Sequence, residues 1–198
     1  MIRLFAALCK ALNRELAEIS DEQLFQDATE RFRHYGARCP VCGAAGKLSP
    51  YGSYSRGLTS HRAGRLIDSH IEPRRFECKS CGSTHALLPD VLTPYSPYSL
   101  RFKLLVLAAY FERATTVAKI CEGFGIAVST LYEWKKRLIS HKDLLLGVLI
   151  SRKTSALAFL SGLIGAADLS RILCRFFNKY GFSFMQRGRR AATQYVPP

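Results

Sequence analysis

The sequence predicts an α+β chain, mainly α, in which a small four-cysteine module on short strands is followed by a helix-turn-helix and further C-terminal helices. Three observations carry that expectation. Four of the seven cysteines stand in two pairs, Cys39-Pro-Val-Cys42 and Cys78-Lys-Ser-Cys81, each followed by a glycine. Around them Gly, Ser, Pro and Tyr break the chain into short runs, as strands joined by turns do. After Ser99 the apolar residues recur every three or four positions, the period of a helix buried on one side.

The cysteine pairs come first. A two-residue gap lets both thiolates of a pair face one ion, and the following glycine takes the tight turn. Two pairs complete a tetrahedral shell of soft donors, so Cys39, Cys42, Cys78 and Cys81 are the expected ligands of one Zn2+ in a zinc ribbon. The 35 residues between Cys42 and Cys78 are about twice the interval usual in compact zinc modules. Doubling a loop adds only about 0.6 kcal/mol of closure entropy. Structural zinc contributes roughly 10–16 kcal/mol of apparent binding free energy. Two alternatives stand beside zinc: disulfides, disfavoured because no secretory signal is visible, and iron in a rubredoxin-like electron carrier. His61, His70 and His85 lie near enough to replace a thiolate, His85 foremost. With four cysteines at hand they read as polar ribbon residues.

Composition narrows the partner. Twenty-nine Lys and Arg against fifteen Asp and Glu give a formal charge of +14, which favours a polyanion, with nucleic acid the first choice. The front of the chain is neutral and the back basic. Leu4 to Cys9 is too short for a signal-peptide core. The apolar stretch from Thr154 to Ala167 falls short of the about 18–20 residues that span a bilayer. The expected location is cytoplasmic, with no membrane partner.

Five segments follow. Residues 1–38 read as two amphipathic helices, Ile2 to Glu18 and Asp21 to Tyr35, with Ser20 and Gln23 spaced as a capping box. Residues 39–98 form the zinc-ribbon domain, with strands such as Leu66 to Ile71 and Arg74 to Glu77. Pro89, Pro94 and Pro97 disfavour a helix before Ser99. Tyr51, Tyr54, Tyr95 and Tyr98 among several arginines read chiefly as packing. Residues 99–140 form the helix-turn-helix domain: Leu100 to Arg113 capped by Ser99, Val117 to Glu122 capped by Thr116, a turn at Gly123-Phe124-Gly125-Ile126, and a helix from Val128 to Leu138. Residues 141–185 carry three helices, Leu144 to Ile150, Ala156 to Ile164 and Leu169 to Tyr180, the last ended by Gly181. They either complete the core or form a dimer or partner interface. Residues 186–198 form a basic tail expected to be disordered. Cys9, Cys121 and Cys174 read as small core residues.

The final helix of the 99–140 unit carries the functional expectation. At about 100° per residue, Leu131, Trp134 and Leu138 share one face while Ser129, Glu133 and Lys136 share the other, with Tyr132 at the edge. That outward face suits a major groove: glutamate accepts from cytosine, lysine donates to guanine or phosphate. Lys135 and Arg137 at the flanks suit phosphates. Ala127 holds the N-cap position where serine is usual, at a cost of about 1 kcal/mol.

The run Val117-Ala-Lys-Ile-Cys-Glu-Gly-Phe-Gly-Ile-Ala-Val-Ser-Thr-Leu-Tyr-Glu-Trp134 resembles the helix-turn-helix of bacterial insertion-element transposases. Together with Cys39-Pro-Val-Cys42-Gly and Arg75-Phe-Glu-Cys78-Lys-Ser-Cys81-Gly-Ser-Thr-His85, it is similar to a family of short, uncharacterised bacterial proteins that accompany mobile elements. The resemblance covers roughly residues 35–138 and implies a zinc-ribbon and helix-turn-helix DNA-binding role, with no activity to carry over. Glu133 departs from the basic residue common at that position. After Leu138 only Asp143 and Asp168 remain as carboxylates, too few for a two-metal strand-transfer site. The expectation is a non-enzymatic protein that binds double-stranded DNA as the recognition or regulatory part of an insertion element. An adaptor for a separate transposase or integrase catalytic subunit is the alternative. A homodimer is a further partner to test.

Overall fold

The computed structural model describes residues 1–4, 19–62, 65–149, 155–166 and 168–187. Within them strands and helices share the fold, which is a mixed α/β arrangement. Strand β1 (Ile2–Leu4) is followed by α1 (Asp21–Glu30). Then come β2 (Leu48–Ser53), β3 (Arg56–Arg62), β4 (Arg65–Ile71), β5 (Arg74–Cys78) and β6 (Thr84–Pro89). The remainder is helical: α2 (Leu100–Glu112), α3 (Val117–Gly123), α4 (Val128–Leu149), α5 (Ala156–Ile164) and α6 (Leu169–Tyr180).

One sheet runs in the order β1-β6-β5-β2, with β1 parallel to β6 and the other neighbours antiparallel. Strands β3 and β4 pair only with each other among the described strands, in register from Arg56–Ile71 to Arg62–Arg65. This hairpin occupies the middle of the long interval between the cysteine pairs. It leaves the four-stranded sheet and joins the helices: Thr59 donates its N–H to Pro97 O and accepts from Ser99 N–H, and Leu58 and Ile71 enter the helical core.

Two apolar clusters result. A small one gathers Ile2, Leu48, Phe76 and Leu87 with Cys39 and Cys78. The large one runs from Leu24 in α1 through α2–α6 to Met185. Strand β6 separates them, because its successive side chains point to opposite faces. Leu87 faces the cysteines and Leu88 the helices.

Several expectations are met residue for residue. Ser99, Thr116 and Ser20 each accept a backbone N–H three residues on, capping α2, α3 and α1. Helices α5 and α6 have the expected bounds, and Gly181 ends α6 at φ 73° with its N–H on Phe177 O.

Others need correction. Ile2–Leu4 is a strand and not the start of a helix: its backbone completes the edge of β6 and Ile2 is buried beside the cysteines. The rest of the expected helix to Glu18 lies outside the described residues, apart from its flank at Ile19. Helix α1 stops at Glu30, because Arg33 turns extended and Phe32 swings onto Phe76, ring centres 5.3 Å apart. The capping box is half formed, since the Gln23 side chain reaches Asp27 instead of returning to Ser20.

Helix α4 continues past Leu138 to Leu149, so Leu144 begins no new helix and the 140/141 boundary falls inside α4. No proline or glycine falls between Leu138 and Leu145, and buried Leu138, His141 and Leu145 keep one stripe against the core. Helices α5 and α6 complete that core with Phe159, Leu160, Leu163, Ile172, Leu173 and Phe176. The basic tail is expected from residue 186. Gln186 is buried and its Oε1 accepts the Ser183 N–H, whereas 188–198 lie outside the described residues. No single helix among the described residues is long and apolar enough to cross a membrane.

Candidate metal centre and exposed helix face

Both cysteine pairs fold alike. In each, the first cysteine's carbonyl accepts the N–H of the glycine after the second cysteine, at 2.9 Å for Gly43 and 2.8 Å for Gly82. Its own N–H donates to Ala44 O or Ser83 O. Gly43 and Gly82 sit at φ 72° and 69°, a region costly for residues with a Cβ, which is the reason each pair ends in glycine. The second pair closes the β5–β6 hairpin; the first is closed by the Arg38–Ala45 bridge.

The four sulfurs converge. All lie within 4.8 Å of one another, with Cys39 and Cys81 at 3.7 Å and Cys42 and Cys78 at 3.7 Å. A tetrahedron with metal–sulfur bonds of about 2.3 Å has edges of about 3.8 Å. The donor set therefore fits a single tetrahedral ion, and the four cysteines can hold one. Ser83 beside Cys81, through its hydroxyl and its backbone N–H, holds that thiol down to about 6, which favours the metal-binding thiolate.

His85 is placed one contact outside the cluster. Its Nε2 lies 3.3 Å from Cys39 Sγ, and its Nδ1 3.0 Å from the Met1 amine. Burial pushes the imidazole down to about 4, so it is neutral at pH 7. Its Nε2 meets the sulfur of a cysteine that already completes the set of four. His85 thus abuts a ligand and does not replace one. The signal was legible in the alternation of β6, which sets His85 on the same face as Leu87. His61 instead packs on Phe124, ring centres 5.1 Å apart, and His70 is exposed on β4.

The other expected site lies on α4. Leu131, Trp134 and Leu138 are buried, while Ser129, Tyr132, Glu133 and Lys136 are exposed, the division the helical period predicts. Arg137 and Glu133 pair along the helix. Lys135 is half-buried, donating at 2.7 Å to the Tyr110 hydroxyl and lying over the Tyr110 and Tyr132 rings. Ala127 caps α4 with its carbonyl alone, accepting from Thr130 and Leu131. The turn before α4 closes α3, with Ile126 N–H on Cys121 O and Gly125 N–H on Glu122 O. A cleft of about 330 Å³ beside this face is lined by Lys136, Arg137, Ser140, His141 and Arg187.

One buried cation escaped the sequence reading. Lys103 in α2 is fully buried with no hydrogen-bond partner for Nζ among the described residues, 5.7 Å from the centre of the Trp134 ring. Burial, with Arg137 and Arg56 nearby, pushes its ammonium down to about 7. It stands one residue before Leu104 in the apolar stripe, where a long side chain reads as a flank.

Comparison with known proteins gives one result. Residues 39–134 match the family described as a domain of unknown function, DUF6431. The match opens at the first cysteine and ends at Trp134, so it takes in the whole cysteine cluster, the β3–β4 hairpin, α2, α3 and the first turns of α4. No curated protein and no solved structure matches the chain.

Proposed function

We propose that this is a zinc-stabilised, non-enzymatic protein that binds double-stranded DNA through α4, with α3 and α4 acting as a helix-turn-helix. Its proposed setting is the DNA-recognition or regulatory part of a bacterial insertion element, in the cytoplasm. The observation that carries the reading is the split of α4: Leu131, Trp134 and Leu138 fix it to the core, leaving Ser129, Tyr132, Glu133 and Lys136 outward in a chain of charge +14. In a major groove, Lys136 donates to guanine or phosphate and Glu133 accepts from cytosine. Arg137 and Lys135 flank them toward phosphates. Zinc in the four-thiolate site stabilises a cluster too small to hold itself together by apolar burial alone.

The test is selection of bound duplexes from a random pool by purified protein, with metal assayed on the same sample. An enriched motif with one zinc per chain is expected. Absence of any duplex binding at 0.1 M salt would overturn the reading. A coloured, redox-active preparation would replace zinc by iron and move the function to electron transfer.

One observation favours a second reading, an adaptor for a separate transposase or integrase catalytic subunit. Val128, Tyr132 and Ile139 on α4 are large, apolar and 43–47% exposed. Such side chains suit a protein partner as well as a groove, and zinc with no enriched motif would favour it.

A further inference from the structure

The β3–β4 hairpin has a role that the cysteine cluster does not explain. Its base is clamped to the connection between β6 and α2, where Arg56 donates to Thr93 O and Ser96 O, both at 2.6 Å. Strand β3 packs inward while most of β4 is exposed: Leu58 is buried, His61 lies on Phe124, and the partly exposed Leu66 still reaches the turn between α3 and α4. A Cβ at Gly125 would stand 3.1 Å from Leu66 Cδ2. One rung beyond that contact, the last register pair is Arg62 and Arg65, both exposed. The one acid on β4, Asp68, accepts from Thr59 and lies back along the strands.

Two cations are thus carried on a braced hairpin to the N-terminal end of α4. That is the end of a recognition helix that meets base edges, where duplex backbone runs on either side of the groove. We infer that the β3–β4 hairpin is a wing, with Arg62 and Arg65 contacting the phosphates that flank the groove entered by α4. The inference rests on the DNA-binding reading above and assigns it a second contact surface. It also gives the long interval between the cysteine pairs a purpose. Phosphate contacts set register and affinity and carry no sequence information, so the wing adds affinity on every duplex alike.

The experiment compares wild-type protein with an Arg62→Ala/Arg65→Ala double variant, measuring affinity against salt on the selected duplex and on a scrambled one. Each lost phosphate contact lowers the log–log salt slope by about 0.9. The double variant should therefore lose a slope of about 2 and on the order of tens-fold in affinity at 0.1 M salt, equally on both duplexes. Its thermal midpoint should stay at the wild-type value. Arg62→Lys/Arg65→Lys should restore most of the slope, since lysine also meets phosphate. An Arg31→Ala/Arg33→Ala variant removes the same charge beyond α1 and should leave the slope near wild type.

Wild-type slope and affinity in the Arg62→Ala/Arg65→Ala protein would overturn the wing while leaving DNA binding by α4 intact. An equal loss in the Arg31→Ala/Arg33→Ala protein would overturn it too, by reducing the effect to net charge. Failure of the wild-type protein to bind either duplex would instead bring down the DNA reading and the wing with it.

Discussion

Lys103→Met should make the protein more stable, by an amount that depends on pH. An ammonium lowered from 10.5 to about 7 is disfavoured in the fold, each unit being worth about 1.36 kcal/mol. Between those values the unfolded chain holds a proton that the folded chain has lost, so wild-type stability rises with pH from about 7 toward 10.5. Below 7 the full difference applies, roughly 5 kcal/mol, and the ring of Trp134 offsets about 1 kcal/mol of it. Methionine fills a similar volume and needs no partner. The variant should thus exceed wild type by about 3–4 kcal/mol at pH 7, with the gap shrinking by about 2 kcal/mol at pH 9. Urea unfolding of the metal-loaded proteins at both pH values measures it. A variant less stable at pH 7, or a gap that does not change with pH, would refute the claim that Lys103 is buried without a compensating partner.

Gly125→Ala should cost about 1–2 kcal/mol for the left-handed backbone at φ 58°, with a further penalty as the new methyl displaces Leu66; a lowered thermal midpoint with unchanged metal content reports it. Lys136→Ala should weaken DNA binding and alter the selected motif, because Lys136 is exposed on the face of α4 proposed to enter the groove. Lys135→Ala should weaken all duplexes alike and also lower the thermal midpoint, since it loses the Tyr110 hydrogen bond. Metal removal with a chelator should abolish amide-exchange protection in β2, β5 and the two cysteine turns while α2–α4 keep theirs, as hydrogen-exchange mass spectrometry would show.

What was legible in the sequence were the features governed by local chemistry. Ser99, Thr116 and Gly181 announce helix ends because a hydroxyl or a missing Cβ answers a need of the backbone at that position. Gly43 and Gly82 mark the turns for the same reason. The burial of Leu131 and Trp134 follows from periodicity. What stayed hidden depends on distant partners. Ile2–Leu4 sits in a run of helical spacing, yet β6 offers it a strand edge 80-odd positions away. The packing of His141 against Phe176, which joins α4 to α6, has no local sign either. Nothing local shows that Leu66 will meet Gly125.

The interval of 35 residues between the cysteine pairs looks excessive only if the intervening chain serves the metal. It does not, because Leu58 and Ile71 belong to the helical cluster and no residue of β3 or β4 joins the cysteine cluster. The inserted hairpin instead ties the ends of β2 and β5 to the segment that leads into α2, through Thr59 and Arg56. Strand β6 ties them a second time, carrying His85 and Leu87 on one face and Leu88 on the other. Two such attachments on either side of the cysteines restrict how the metal-bearing sheet can swing against α4. A metal held by the four cysteines would fix the small cluster internally, while the hairpin and β6 fix its direction, and the proposed recognition surface spanning both parts would need each of these constraints.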